Sequence, residues 1–172
     1  MPNNVTNRVS APARVIQSLL NDEGKVDFGA VAPFPGPHVW GCIMTSAEAA
    51  AQLVLRLPTS DNAMLAELQL RSRARTDVGK MNQEVFGQFV GMLENYRACG
   101  FIHRIDFALS EWGTKWNAYD ATVDLANGRC SFDTAWTCPE PLLQKLSARF
   151  PDEEIVVVYA DEDVGSNCGT LK

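Results

Sequence analysis

The stretch Trp116-Asn117-Ala118-Tyr119-Asp120-Ala121-Thr122-Val123-Asp124-Leu125-Ala126-Asn127-Gly128-Arg129-Cys130-Ser131-Phe132-Asp133-Thr134-Ala135-Trp136 reads as a β-hairpin. Asn127-Gly128 readily supplies the two positive φ angles of a two-residue type I′ turn. Folding the chain there sets Leu125 opposite Cys130, Val123 opposite Phe132, Ala121 opposite Thr134 and Tyr119 opposite Trp136. These pairs share one mostly apolar face. The other face carries Asp120, Thr122, Asp124, Ser131 and Asp133, and so many carboxylates repel phosphate. Direct nucleic-acid binding by this sheet is therefore not expected.

Working outward, Thr137-Cys138-Pro139-Glu140 has capping-box spacing, and Leu142, Leu143, Leu146 and Phe150 give the helix after it a buried face. Ile155-Val156-Val157-Val158-Tyr159 is a continuous β-branched run, expected of a strand covered on both sides. His103–Leu109 alternates as a further strand. At the other end, Asn4–Ser10 predicts a strand, Ala13–Leu20 a helix and Val26–Val31 a second strand. Between these ends the pattern turns helical. Thr45 and Glu48 space as a capping box before Ala47–Leu57. Ser60 can cap a helix bearing Met64, Leu65, Leu68 and Arg71. Asn82–Arg97 places Val85, Phe86, Phe89, Val90, Leu93 and Tyr96 on one stripe, with Cys99-Gly100 as its stop.

The expectation is one α+β domain over residues 1–172: a ferredoxin-like antiparallel sheet with helices on one face and a helical insertion in the middle. Residues 1–35 make a β-α-β start, about 45–100 the insertion, and 101–172 the ferredoxin-like β-rich part.

Composition bounds the function. The chain of 172 residues carries a net charge of −6, is 46% hydrophobic, and has no apolar run of membrane-spanning length. Its start, MPNNVTNRV, is polar where a signal peptide would be hydrophobic, so a cytoplasmic protein is expected. Five cysteines without a compact framework read as reduced thiols. Asp152, Glu153, Glu154, Asp161, Glu162 and Asp163 crowd one segment that has no Lys or Arg, while Arg71, Arg73, Arg75 and Lys80 form a basic run.

Several constellations bear on chemistry. Trp112-Gly-Thr-Lys115-Trp116 can be a binding loop with Lys115 as an anion contact, or simply a turn with Trp116 and Tyr119 packed beneath it; packing is the simpler account. His38 with Cys42 and Cys99 with His103 supply zinc-type ligands, but from distant segments with an uncommon half-site spacing, so no metal is expected. Asp161-x-Asp163-x-Gly165-x-Asn167 has its glycine too early for a calcium loop and reads as an acidic tail that also holds Cys168. Asp120, Asp124 and Asp133 share a strand face, where solvated carboxylates are commoner than an acid–base or metal cluster. Only His38 and His103 could serve a nucleophile, and there is no nucleophile elbow or phosphate loop; no catalytic residue, cofactor or enzymatic activity is expected.

The opening Met1-Pro2-Asn3-Asn4-Val5-Thr6-Asn7-Arg8, the phrase Val26-Asp27-Phe28 with Pro33-Phe34-Pro35, and above all Trp112-Gly113-Thr114-Lys115-Trp116-Asn117-Ala118-Tyr119-Asp120 resemble the YubB-like proteins of plasmids and phages. Phe132, Thr134-Ala135-Trp136, Phe150-Pro151 and Tyr159-Ala160-Asp161-Glu162 with Gly165 extend the resemblance. Asn4 and Cys138 depart from it. It implies a ferredoxin-like C-terminal part and a role in the contest between a mobile element and a bacterial host. The expectation is a non-enzymatic accessory protein that binds a host protein complex, such as a counter-defence inhibitor of anti-CRISPR or anti-restriction type. Its acidic surface would comprise Asp120, Asp124, Asp133, Asp152, Glu153, Glu154, Asp161, Glu162 and Asp163, with Trp112 and Lys115 as a possible binding loop. The alternative is a nucleic-acid- or nucleotide-binding module using Arg71, Arg73, Arg75 and Lys115.

Overall fold

Strand β1 (Asn4–Ser10) lies at the middle of a five-stranded antiparallel sheet. Around it stand β2 (Tyr119–Asp124), β3 (Arg129–Ala135), β4 (Val156–Asp161) and β5 (Gly169–Leu171), in the order β2-β3-β1-β4-β5. The computed structural model describes residues 3–163 and 166–172; Met1-Pro2 and Gly165 of the sequence motifs fall outside them. The chain divides into two compact units, Met1–Phe34 with Ile105–Lys172, and Pro35–Arg104.

In the sheet unit, β1 pairs with both β3 and β4, so the two split β-α-β halves interleave as a ferredoxin-like α+β fold. Period-2 alternation sends Val5, Asn7 and Val9 of β1, Cys130, Phe132 and Thr134 of β3, and Val157 of β4 inward. Onto them fold α1 (Ala13–Gln17), α2 (Phe28–Val31), α6 (Arg104–Glu111) and α7 (Glu140–Arg149), through Val15, Ile16, Phe28, Phe107, Leu142 and Leu146. Phe132 is fully buried, and its ring meets Phe28 edge-on at 5.6 Å. Phe28 also meets Trp112, which is buried and donates from Nε1 to the Ala32 carbonyl. Phe34 stacks edge-on against Phe107 at 5.5 Å, where the chain leaves and rejoins this unit.

The structure differs from the sequence reading at four places here. Val26–Val31 is not a strand: Asp27 accepts the Gly29 amide and caps the one-turn helix α2. His103–Leu109 is not a strand either, but enters α6, whose Phe107 and Ala108 are buried. The hairpin is offset by two residues, with Val123 opposite Cys130, Asp124 opposite Arg129, and a bulge between Tyr119 and Thr122. Asp124 accepts both the backbone and side-chain N–H of Asn127, so only Gly128 takes positive φ and the turn widens to residues 125–128. Finally, the chain end is no loose tail: residues 169–171 pair with β4 as β5. A Cβ on Gly169 would sit 2.7 Å from the Tyr159 hydroxyl.

The helical unit contains α3 (Thr45–Val54), α4 (Ala63–Arg75), a 3₁₀ turn at Val78–Lys80, and α5 (Gln83–Cys99). Ala47, Ala50 and Ala51 give α3 a small-residue face that packs with Phe89, Met92 and Ile102. Gly100, at φ +80°, ends α5 as expected. The inward face of α5 is Gln88, Phe89, Gly91, Met92 and Asn95, whereas Phe86 and Val90 are exposed. Gly91 makes room for the Trp40 ring, since a Cβ there would lie 2.7 Å from it. Met64, Leu65 and Leu68 of α4 are also exposed, and Asn62 rather than Ser60 caps that helix. Among the described residues no helix is long and apolar enough to cross a membrane.

All five cysteines are free. Burial pushes the Cys130 thiol up to about 11, and burial together with Glu140 pushes Cys138 up to about 12. Both stay protonated in the fold at pH values where an unfolded chain ionises them, so stability falls as pH rises from about 9 towards 11. A thiol reagent at pH 8 should label the exposed Cys42 and Cys168 rapidly, and Cys130 and Cys138 only after denaturant is added. Rapid labelling of Cys130 in the native protein would contradict this.

Candidate functional site

At the end of the sheet where β1 begins and β3 and β4 finish, an indole pair meets a group of carboxylates. Alternation along β3 would send Trp136 inward after Thr134, but Trp136 takes φ +65°, which turns its side chain out. An aromatic residue in the left-handed region costs about 1–2 kcal/mol. Its backbone is held on both sides: the Trp136 amide donates to the Asn3 carbonyl at 2.9 Å, and Asn167 Nδ2 donates to the Trp136 carbonyl at 2.9 Å. Trp116 lies against it with ring centroids 5.3 Å apart, and Lys115 Nζ sits 5.7 Å from the Trp116 ring centre. The two indoles remain 43% and 46% exposed.

The same Asn167 amide lies 3.4 Å from Asp161 Oδ2, which ties the indoles to the acidic segment. Glu162 accepts the Asn4 amide and donates its own amide to the Asn4 carbonyl, while Asp163 Oδ2 accepts from Asn3 Nδ2 at 2.9 Å. On the open side of the sheet the Tyr119 hydroxyl donates to Asn4 Oδ1 at 2.6 Å. Burial, then the negative charges of Asp133, Asp120 and Glu162, raise the Tyr119 phenol above its ordinary value. Asp120 reaches this position through the bulge, at φ +50°. The open face is not uniformly acidic, however. Arg8 and Arg129 project from it beside Thr122 and Ser131, in a groove of about 590 Å³.

Of the nine carboxylates expected to form one surface, Asp120, Asp133, Asp161, Glu162 and Asp163 gather at this rim. Asp124 stands apart at the turn, where its hydrogen bonds from Asn127, with help from Arg129, hold its carboxyl below the usual range. Asp152, Glu153 and Glu154 follow α7, and Glu153 pairs with Arg14. Trp112 is a core residue, so the binding loop reduces to Lys115 and Trp116. Trp136 was missed because no sequence signal marks a tryptophan in the left-handed region.

The basic run is also split. Arg73 is buried and donates to the carbonyls of Leu57 and Pro58 and to Gln52 Oε1, which leaves it unable to meet a ligand. Arg71 and Arg75 are exposed on α4, and Lys115 belongs to the other unit. Three of the four zinc-type side chains are engaged elsewhere, and Cys42 is exposed. The His38 ring stacks on Trp40 and contacts Glu94, His103 is buried 3.6 Å from Glu48, and Cys99 Sγ donates to the Asn95 carbonyl. Among the described residues no cluster of three or more His, Cys, Asp or Glu is placed to hold a metal ion.

Chemically, the rim suits a cation. Indole faces attract guanidinium and ammonium groups, and the adjacent carboxylates complete the charge match.

Residues 111–172 match the family model of the ferredoxin-like domain in Api92-like protein. A crystal structure of a protein api92 from Yersinia pseudotuberculosis is similar at 14% identity and a TM-score of 0.39, over 99% of this chain and 93% of that one. No curated protein matches the chain.

Proposed function

We propose that this chain is a non-enzymatic accessory protein of a phage or plasmid that binds a basic surface of a host protein complex. In this reading it is a counter-defence inhibitor of anti-CRISPR or anti-restriction type, and it covers a site that otherwise holds nucleic acid. The observation that carries the reading is the exposed indole pair of Trp116 and Trp136, the latter on strained backbone and tied through Asn167 to Asp161. Strain that leaves a tryptophan in water gains nothing for the fold, and such residues are common anchors of protein interfaces. Charge supports the same partner. The sheet unit carries fifteen acidic and eight basic residues. A surface of that sign speeds encounter with a cationic one and weakens with salt.

The test is affinity capture from host lysate with wild-type protein, a Trp116→Ala/Trp136→Ala variant and an Asp161→Asn/Glu162→Gln/Asp163→Asn variant, read by mass spectrometry beside phage plating. Enrichment of a nucleic-acid-binding defence component, lost in both variants together with phage protection, supports the reading. Recovery of no such component and no protection rejects it. A companion prediction separates binding from folding. Trp136→Asn should change unfolding stability by less than about 1 kcal/mol, because the side chain is half-exposed and asparagine tolerates the left-handed backbone. The same change should weaken partner binding by about 2 kcal/mol or more, roughly thirty-fold. Calorimetric titration and urea denaturation of the one variant give both numbers.

A further inference from the structure

We infer that the helical unit carries a second site, a groove that takes phosphate groups. The groove has a volume of about 860 Å³ and opens between the second half of α4, the 3₁₀ turn and the starts of α3 and α5. Arg71 and Arg75 stand one helical turn apart, so both project to the same side of α4, and Lys80 faces the groove from the 3₁₀ turn. Glu67 pairs with Arg71, and Asp77, itself in the lining, pairs with Lys80 at 3.1 Å. Arg75 has no ion-pair partner among the described residues. The lining keeps three cations against one carboxylate.

The opposite wall supplies neutral donors. Thr45 and Ser46 are exposed at the first turn of α3, and no side chain caps that turn. Capping-box spacing led to the expectation that Thr45 would cap; instead Met44 takes the N-cap position, with its amide held by Gln88, and the Thr45 hydroxyl is left on the groove side. Met81 and Val85 provide an apolar stretch of the same lining, suited to the flat face of a base or ribose.

The wider field agrees. Pro35–Arg104 holds seven basic and six acidic residues, so an anion meets no net repulsion from this unit, in contrast to the sheet unit. The phosphate can come from a free nucleotide or from a single nucleic-acid strand, since both offer the same group to arginine. This inference does not rest on the protein-binding rim, and its residues belong to the other unit.

Fluorescence anisotropy of the full chain with a labelled oligothymidylate, and with its oligouridylate counterpart, is the direct test; competition by ATP and by inorganic phosphate separates the sources. Saturable binding is expected, weakened at least tenfold in Arg71→Ala/Arg75→Ala/Lys80→Ala. The salt dependence, plotted as log affinity against log salt, should flatten by about two, at roughly 0.7 per phosphate contact on a single strand. Arg97→Ala, exposed on α5 outside the groove, should bind as wild type, and so should Trp116→Ala/Trp136→Ala. The single exposed reversal Arg75→Glu gives the same loss if the triple variant folds poorly. Equal competition by ATP assigns the site to nucleotides, and binding of strands alone assigns it to nucleic acid. No saturable binding of any probe, or undiminished binding in Arg75→Glu and the triple variant, overturns the proposal.

Discussion

Phe132→Ala should lower the stability of the sheet unit by about 3–5 kcal/mol, the ordinary cost of emptying a phenylalanine site in a packed core. Phe132 has no exposed surface, sits on β3 opposite Asn7 of β1, and meets Phe28 edge-on. The cavity would open between the sheet and α2, where Phe28 also supports Trp112. Little can collapse into it, because β3 is hydrogen-bonded on both sides by β1 and β2. Urea denaturation followed by tryptophan fluorescence measures the loss. A change below about 1 kcal/mol would mean that the ring does not occupy this position. Phe132→Leu should recover a large part of the loss, because it keeps an apolar group of substantial volume in place.

Asn95→Ala is expected to cost the helical unit about 3 kcal/mol, more than most apolar truncations on α5. Asn95 is fully buried, and one side chain satisfies three backbone groups. Its Oδ1 accepts the His38 amide at 2.9 Å, and its Nδ2 donates to the carbonyls of His38 and Ile102 at 2.9 and 3.1 Å. Alanine would leave all three without that partner, and an unsatisfied buried group costs about 1–3 kcal/mol. Asn95→Asp should be harmful too, because a carboxylate cannot donate to the two carbonyls. Hydrogen exchange at residues 38 and 102 should rise together in Asn95→Ala. Independent responses of the two segments would show that Asn95 does not clamp them.

These two residues also show what the sequence could and could not convey. Phe132 was readable, because strands whose apolar residues recur every second position announce their buried side. The continuous β-branched run at 155–159 announced a strand but not its open face: Val157 is buried, whereas Val158 is 49% exposed, so the strand is covered on one side only. Asn95 was not. Periodicity of apolar residues put Phe86 and Val90 inside, whereas α5 turns Gln88 and Asn95 inward to bind the backbone of residues 38–44, with Gly91 making room for the Trp40 ring. A polar residue chosen to satisfy a loop carries no local signature. The hairpin failed similarly: Asn127-Gly128 marked the turn, but the competing Asp124 side chain set its length and therefore its register. The rim was half legible. Its acids were visible as a run at 161–163, and the outward Trp136 depended on a backbone angle that nothing nearby encodes.

The contact between Phe34 and Phe107 carries a consequence for how such a gene can change. Since these rings meet where the chain departs from the sheet unit and returns to it, the intervening residues hang from a closed doorway. Closing a loop costs only about 0.6 kcal/mol more for each doubling of its length. Recombination could therefore enlarge, shrink or trade the intervening cassette at little expense to the sheet. A lineage could keep one sheet scaffold while varying the cassette that it carries.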